Sequence, residues 1–270
     1  MSTQSPLSDR VAVITGASAG IGQAIALDLA SKGARIVLNA RRAERIDELA
    51  QRLTDQFGMV KTNQGMRPRA VCVPGDASDD STIDAMLDAS QDHFGISADL
   101  IVANAGRGLD GSVMTSDTNQ WESMLKTNIL GVARLIRKAG TQLLELQANR
   151  DWQDHPADLV ILGSTVGRHI SPFSSMYGST KFAVNSLAEA ARRELGPSGI
   201  RVSLIEPAIV KSEFQEMAGY NPKSFGQIMD KFGPVLTPKD IARSIGFIVT
   251  QPASVHLCDV VIRPTRQDYP

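Results

Sequence analysis

Seven short apolar runs, rich in Val, Ile and Leu, recur along the chain and alternate with longer segments in which apolar residues return every three or four positions. The short runs predict strands and the longer segments predict helices. Each run is continuously apolar, so both faces of the sheet must be covered, which indicates parallel strands between two helical layers. The predicted strands span residues 10–15, 34–40, 70–76, 98–106, 159–164, 200–207 and 255–265.

The segments between these strands predict one continuous domain. Helices are expected wherever the longer repeat holds, and the polar stretches 58–69 and 148–157 are interpreted as surface loops. No internal repeat or second composition regime interrupts the pattern. We therefore expect a flexible leader over residues 1–8 and a single domain over 9–270. A looser segment around 208–236 is expected to form a lid over the site.

Composition and charge exclude several classes of function. The chain of 270 residues has a net charge of −1, so it has no basic field to attract nucleic acid or an anionic membrane. No apolar run reaches the ~18 residues of a membrane-spanning helix, and the first residues lack the apolar core of a secretion signal. These features predict a cytoplasmic protein. No His or Cys cluster has the spacing of a metal site.

The stretch VITGASAGIG joins the first predicted strand to the first predicted helix and contains Gly16, Gly20 and Gly22. Glycines here allow a tight turn and a close backbone approach to a pyrophosphate, which would lie at the helix N-terminus. Two alternatives stay open: a turn without a ligand, and the nucleophile elbow of a serine hydrolase, with Ser18 as nucleophile and a later histidine such as His256. The elbow is disfavoured because no earlier strand can supply an oxyanion loop.

The end of the second predicted strand bears on the identity of the cofactor. In dinucleotide-binding folds an acidic residue there binds the ribose 2′-hydroxyl of NAD, whereas a basic residue accommodates the 2′-phosphate of NADP. Ala40 occupies the acidic position, and Arg41 and Arg42 follow it. We therefore predict NADP(H) in preference to NAD(H). Asp76, after the third strand, is placed either to accept a hydrogen bond from the adenine or simply to precede a helix.

The stretch YGSTK places Tyr177 and Lys181 on one face of a predicted helix. A lysine charge beside a phenol favours the phenolate and lowers the tyrosine pKa, which would let the tyrosine exchange a proton near neutral pH. An isolated pair with this spacing is more often an exposed lysine beside a half-buried tyrosine. Its interpretation therefore depends on the rest of the chain.

Taken together, the motifs resemble those of the classical short-chain dehydrogenases/reductases, in the same order and spacing from about Arg10 to Thr265. They are TGASAGIG, NAG at 104–106, Asn128 in KTNILG, Ser164 in ILGS, and YGSTK. The resemblance implies a Rossmann-type three-layer α/β/α sandwich with a mostly seven-stranded parallel sheet and a nicotinamide cofactor. It also implies interconversion of a small-molecule alcohol and a carbonyl, and a homotetramer.

The same resemblance implies roles for individual residues. Tyr177 would be the general acid/base, and Lys181 would lower its pKa and hold the nicotinamide ribose. Ser164 would hydrogen-bond the substrate oxygen, and Asn128 would hold a water that extends the proton relay. The residues expected to contact the cofactor are Gly16, Ser18, Gly20, Ile21, Gly22, Arg41, Arg42, Asp76, Ala77, Asn104, Ala105, Gly106, Tyr177, Lys181, Pro207, Val210 and Ser212.

The substrate is less well specified by the sequence. Arg107, Arg168 and Lys211 lie in loops expected near the site, either to pair with a substrate carboxylate or as solvated charges. The stretches LNARRAERIDELA and VIRPTRQDYP resemble the branch that includes 3-hydroxy acid and serine dehydrogenases, which implies a small hydroxy acid or its oxo form. The main alternative is a non-catalytic NADP-binding sensor, which would not need Ser164, Tyr177 and Lys181 together.

Overall fold

A sheet of seven parallel strands forms the centre of the computed structural model, which describes residues 5–269. A separate two-stranded hairpin, β3 with β4, lies outside it. The strands are β1 (Val11–Thr15), β2 (Arg35–Ala40), β3 (Val60–Thr62), β4 (Gly65–Arg67), β5 (Ala70–Pro74), β6 (Leu100–Ala103), β7 (Ala157–Leu162), β8 (Ile200–Pro207) and β9 (Asp259–Ile262).

Helices cover both faces of this sheet, so the predicted fold class is confirmed. They are α1 (Gly20–Ser31), α2 (Ala43–Phe57), α3 (Asp80–Phe94), α4 (Trp121–Leu125), α5 (Val132–Gln147), α6 (Ser175–Leu195), α7 (Phe214–Met217), α8 (Pro222–Phe232) and α9 (Pro238–Val249). Among residues 5–269, no helix combines the length and apolar character needed to cross a membrane.

The apolar strands are buried on both faces, as their continuous runs predict. In β1, Ala12 and Ile14 pack into the core on one side of the sheet, while Val11 and Val13 pack into the core on the other. Full burial of one such aliphatic side chain contributes about 1.5–3 kcal/mol. Two-sided burial therefore explains why polar residues are absent from this strand until Thr15 at its end.

The order of the strands creates a crevice at the centre of the sheet. The order is β5-β2-β1-β6-β7-β8-β9, and each neighbouring pair is parallel. The chain moves outward from β1 to β5 and then returns to β6 on the other side of β1. Ligands of open α/β sheets bind at such a reversal, outside the carboxyl ends of the strands.

Three local features differ from the sequence-based expectations. The polar stretch 58–69, interpreted as a loop, contains the β3–β4 hairpin, whose turn places Gly65 at a positive φ of 104°. The last predicted strand is confined to β9. The second half of the predicted leader is packed: Leu7 is buried and its N–H bonds to the carbonyl of Lys32, whereas residues 1–4 lie outside the described part of the chain.

Candidate active site

The glycine turn between β1 and α1 forms the floor of the crevice. Gly16 and Gly20 both adopt positive φ values, +67° and +57°, in the left-handed region that favours glycine. A Cβ added to Gly22 would lie 2.3 Å from the carbonyl oxygen of Gly16. The first turn of α1 therefore packs directly on the loop, and a side chain at Gly22 would clash with it.

The end of β6 holds this turn in place. The side-chain amide of Asn104 donates to the carbonyl oxygens of Thr15, at 2.8 Å, and Gly16, at 3.2 Å. In return, the hydroxyl of Thr15 accepts from the backbone N–H groups of Asn104, at 3.0 Å, and Ala105, at 2.9 Å. The two central strands are thus connected where the crevice opens, and Thr15 is a supporting residue that sequence reasoning missed.

The start of α1 is suited to an anion. Its N-cap residue, Ala19, has no side-chain oxygen to cap the helix, and no acidic residue occurs in the first turn. The first N–H groups of an α-helix have no partner within the helix and attract negative charge. The uncapped N-terminus of α1 thus lies beside Ser18 and Ile21, at the position where the sequence predicts the pyrophosphate.

The structure separates the two predicted arginines. The guanidinium of Arg42 faces the glycine turn and donates to the hydroxyl of Ser18 from Nη2, at 2.9 Å, and from Nε, at 3.2 Å. Arg41 instead lies near Asp76, whose pKa its charge helps to lower. Arg45, three residues after Arg42 in the first turn of α2, points to the same area. Sequence reasoning missed Arg45, although the i, i+3 spacing on a helix is a signal that could have found it.

Asp76 lies after β5 and is tied to the backbone beside Ala77. Its Oδ1 accepts from the N–H of Ser78, at 2.9 Å, and from the Ser78 hydroxyl, at 2.7 Å. Partial burial acts to raise the pKa of Asp76, but the hydrogen bonds from Ser78 and the charges of Lys126 and Arg41 outweigh it and hold the pKa below its ordinary value. The carboxylate is therefore ionised at neutral pH and fixed in direction.

Tyr177 and Lys181 lie together on α6, both buried. The ammonium of Lys181 is 5.9 Å from the centre of the Tyr177 ring and donates to the carbonyl oxygen of Leu162 at the end of β7, at 2.7 Å. Ser164, which follows β7 and Gly163, lies near enough to the phenol of Tyr177 to influence its pKa. The structure thus brings a phenol, an amine and a hydroxyl to one place, as the sequence predicts.

Burial controls the pKa values of this pair. It raises the pKa of Tyr177, an effect that the neighbouring Tyr220 strengthens and the hydrogen bond from Ser164 opposes. It lowers the pKa of Lys181 to about 8. The net pKa of Tyr177 is raised in this structure because removal from water disfavours the phenolate more than its neighbours stabilise it.

Asn128 lies in a π-helical segment, Lys126–Gly131, between α4 and α5. Such segments are rare in proteins, and those that occur are often found at functional sites. Its buried amide accepts from the N–H of Arg107, at 2.8 Å, and donates to the Arg107 carbonyl and to the hydroxyl of Thr180, at 2.8 and 3.0 Å. A Cβ added to Gly106 would lie 3.5 Å from Asn128 Oδ1 and 3.9 Å from Lys181 Nζ. The side chain thus connects the loop after β6 to α6.

Residues of the segment 208–236, the predicted lid segment, lie against the site. Val210 and Leu236 form a bridge that joins its two ends. Between them, Ser212 lies beside the glycine turn, with its Cβ 3.6 Å from a Cβ added to Gly20. The ring of Phe214 is 5.6 Å from the ring of Tyr177. Pro207, at the end of β8, accepts a 3.4 Å hydrogen bond from Ser164 through its carbonyl oxygen.

The loop arginines are engaged with protein groups. The guanidinium of Arg107 bonds to the hydroxyl of Ser123 and to Gln120. That of Arg168 forms an ion pair with the fully buried Glu206. These two arginines are therefore neither simple solvated charges nor directed at the phenol of Tyr177.

The serine hydrolase hypothesis is not supported by this geometry. The hydroxyl of Ser18 accepts hydrogen bonds from Arg42. The ring of His256 lies instead beside β8, where its Nε2 is 2.8 Å from the carbonyl oxygen of Val202.

Comparison with known proteins gives consistent matches over nearly the whole chain. The sequence profile described as short chain dehydrogenase matches residues 10–222. An uncharacterized oxidoreductase of Staphylococcus epidermidis is 30% identical over 256 residues, which are 95% of this chain and 97% of that protein.

Solved structures also match nearly the whole chain. The alcohol dehydrogenase of the archaeon Thermococcus sibiricus, solved with 5-hydroxy-NADP, has a TM-score of 0.79 and 25% identity over 97% of this chain and 99% of that one. A 3-ketoacyl-(acyl-carrier-protein) reductase from Brucella melitensis, solved with NADH, has a TM-score of 0.81 and 24% identity over 96% of this chain and 98% of that one.

Proposed function

This chain belongs to the short-chain dehydrogenase family, and we propose that it is an NADP(H)-dependent oxidoreductase that interconverts an alcohol and a carbonyl compound, with Tyr177 as general acid/base. The observation that carries the proposal is that Tyr177 and Lys181 lie together on α6, both buried, with Lys181 Nζ 5.9 Å from the Tyr177 ring centre and Ser164 near the phenol. We further propose a cytoplasmic location, from the sequence features given above, and a homotetramer, which the family resemblance implies.

The residues around the crevice fit a dinucleotide phosphate. The turn that contains Gly16, Gly20 and Gly22 would hold the pyrophosphate at the start of α1, and Ser18 with Arg42 is suited to the 2′-phosphate. Asp76 would accept from the adenine. The remaining residues of the proposed cofactor site are Ile21, Arg41, Ala77, Asn104, Ala105, Gly106, Tyr177, Lys181, Pro207, Val210 and Ser212.

The protein groups around the reacting oxygen have separate tasks. A bound nicotinamide ring supplies the hydride for reduction or accepts it in oxidation. Tyr177 donates a proton to the carbonyl oxygen during reduction, and Ser164 hydrogen-bonds to the same oxygen as negative charge develops on it. Lys181 holds a positive charge below the phenol at neutral pH, and Asn128 fixes the loop that faces Lys181.

The raised pKa of Tyr177 bears on the direction of the reaction. A phenol that keeps its proton at neutral pH is ready to donate it, which suits carbonyl reduction. The reverse reaction needs the phenolate, so alcohol oxidation should increase as the pH rises.

For the substrate we propose a small hydroxy acid or its oxo form. Because Arg107 and Arg168 are engaged with protein groups, recognition of a carboxylate would fall to the exposed Lys211 of the lid segment. Neutral alcohols and ketones of similar size serve as the comparison. Equal turnover of these compounds and of the hydroxy acids would show that the site does not recognise a carboxylate.

The test is a panel of small alcohols, hydroxy acids and carbonyls followed by absorbance at the nicotinamide band. Tyr177→Phe should lower turnover by about 10²–10⁴-fold, the contribution of a general acid, and leave NADPH affinity largely intact. Thr141→Ala, which removes an exposed hydroxyl that bonds to the Arg137 carbonyl within α5, is the control and should keep full turnover. Wild-type turnover in Tyr177→Phe would refute the assigned acid/base, and NADPH binding without turnover on the panel would favour the sensor.

A further inference from the structure

A carboxylate of the lid segment lies against the arginines proposed to hold the 2′-phosphate. Glu213, directly before α7, places Oε1 2.9 Å from Nη1 of Arg45 and Oε2 3.2 Å from Nη1 of Arg42. The ionised state is favoured because the hydrogen bonds from Arg45 and then from Arg42 hold the pKa of Glu213 below its ordinary value. A negative charge is therefore present between the two guanidinium groups at neutral pH.

The same guanidinium connects Glu213 to the glycine turn. Arg42 donates to Ser18 through Nη2 and Nε while its Nη1 faces Glu213. An anion held between Arg42 and Arg45 would need the Nη1 groups of both arginines, which the carboxylate of Glu213 now contacts. Glu213 thus resembles, in charge and in partners, the phosphate proposed for this position.

The neighbours of Glu213 connect this position to the reacting groups. Ser212 lies beside Gly20, and Phe214 places its ring 5.6 Å from that of Tyr177. Phe214 also packs closely against Gly108, where a Cβ would lie 2.6 Å from its Cζ. Three consecutive residues of the lid segment therefore touch the phosphate turn, the arginine pair and the aromatic wall of the site.

We propose that Glu213 is a specificity-determining residue of the cofactor site, an internal anion that competes with the 2′-phosphate of NADP(H) for Arg42 and Arg45. The inference rests on the proposed function in one respect, the placement of the 2′-phosphate at Arg42. Binding of the phosphate displaces the carboxylate and so releases the start of α7 from α2. Occupancy of the phosphate site and the position of Phe214 are then linked, and the linkage is reciprocal.

The ion pairs of Glu213 with Arg42 and Arg45 are exposed, so Glu213 should compete with the phosphate and not block its binding permanently. The side chains of Glu213, Arg42 and Arg45 are 48%, 44% and 46% exposed. Exposed pairs of this kind are weak and screened by salt. A phosphate makes stronger charge-assisted hydrogen bonds to arginine than one carboxylate does, so it can replace Glu213 at a modest loss of affinity.

The experiment measures binding of 2′,5′-ADP and 5′-AMP by titration calorimetry to the wild type, Glu213→Gln and Glu216→Gln. Glu213→Gln should bind 2′,5′-ADP about three- to tenfold more tightly, as expected when exposed ion pairs are removed, and 5′-AMP as before. Glu216→Gln changes a carboxylate of the same short helix outside this contact and should behave as the wild type. Equal affinity of the wild type and Glu213→Gln for 2′,5′-ADP, or equal tightening of both nucleotides, would refute the competition.

Two further measurements separate this inference from the proposed function. If Arg42→Ala leaves the affinity for 2′,5′-ADP unchanged, the placement of the 2′-phosphate is itself wrong. If Arg42→Ala weakens it and Glu213→Gln has no effect, only the competition is wrong. Trypsin cleavage after Lys211 and Lys223, which flank α7, should become faster with 2′,5′-ADP but not with 5′-AMP, and unchanged cleavage would contradict release of the lid segment.

Discussion

Burial moves the pKa values of Tyr177 and Lys181 in opposite directions, because removal from water disfavours the phenolate of one and the ammonium of the other. The sequence shows only that the two side chains share a helix face. Whether the lysine charge or burial dominates depends on how deeply both are enclosed. In this structure both are buried, so the neutral phenol is favoured and Lys181 titrates unusually close to neutral pH.

The lowered pKa of Lys181 predicts a pH-dependent stability. Between its folded pKa of about 8 and the ordinary value of 10.5, the unfolded chain keeps a proton that the folded protein has lost. Stability rises with pH wherever the unfolded state binds more protons, so this side chain favours folding increasingly across that window. The wild type should therefore gain up to about 3 kcal/mol relative to Lys181→Met as the pH rises from 8 to 10.5, at about 1.4 kcal/mol per pKa unit.

Thermal unfolding of the nucleotide-free protein at several pH values measures this difference. Lys223→Met removes an exposed lysine of α8 and serves as the control for the loss of a lysine side chain. A constant difference for Lys181→Met would show that the buried ammonium does not titrate in this window.

Arg42 is expected to determine the preference for NADPH over NADH. Its hydrogen bonds to Ser18 place a guanidinium beside the glycine turn. Because hydrogen bonds to charged groups contribute about 1.5–3 kcal/mol, Arg42→Ala should weaken NADPH by about 10- to 100-fold. NADH, which lacks the 2′-phosphate, should be affected little. Fluorescence titration of both nucleotides checks this, with Arg52→Ala, an exposed cation of the same helix, as control; equal losses for NADPH and NADH would contradict phosphate recognition.

At the scale of elements, the strands and turns marked by a local sequence pattern, such as an apolar run or a group of glycines, could be predicted. Elements without such a pattern could not. The buried strands follow from runs such as RVAVIT, and the turn before α1 from its glycines. The β3–β4 hairpin has three-residue, largely polar strands, too short for a periodic pattern. The π-helical segment around Asn128 leaves no repeat that distinguishes it from an α-helix. The contact of Arg45 with Glu213 joins residues 168 positions apart, so only the folded chain reveals it.

The close packing of the glycine turn on α1 predicts the effect of a single methyl group. A Cβ at Gly22 would lie 2.3 Å from the Gly16 oxygen and 2.6 Å from Asn104 Nδ2, so the turn must shift. Gly22→Ala should therefore cost about 1–3 kcal/mol of stability, the usual effect of overpacking, and lose NADPH binding. Gly226→Ala, in α8 where a Cβ meets nothing within 4 Å, is the matched control and should be neutral or stabilising. Urea unfolding and nucleotide titration measure both effects; unchanged binding in Gly22→Ala would show that the turn does not hold the phosphate.

At the scale of the whole molecule, the two ends of the sheet have different tasks. The proposed reaction groups lie at the carboxyl ends of the strands, whereas a buried charge cluster lies at the amino ends. There Asp158 of β7 accepts from Arg201 of β8 through both oxygens, at 2.8 and 2.9 Å, and from Arg10 before β1, at 2.6 Å. Arg10 also pairs with Asp99, at 3.3 Å, and donates to its carbonyl oxygen. The cluster therefore connects the starts of four central strands.

This division predicts a substitution that changes stability without changing the site. Asp158→Asn keeps the shape of the side chain but leaves the charges of Arg10 and Arg201, both buried, with too little compensation. Breaking a buried pair in this way costs about 3–5 kcal/mol, which urea unfolding would show as a lower midpoint.

Asp84→Asn, which breaks an exposed pair with Lys138, is the control and should cost less than about 1 kcal/mol. NADPH affinity below the unfolding transition should be the same in both variants and the wild type, because the cluster and the nucleotide crevice lie at opposite ends of the same rigid strands; a selective loss of affinity in Asp158→Asn would show that the two ends are coupled.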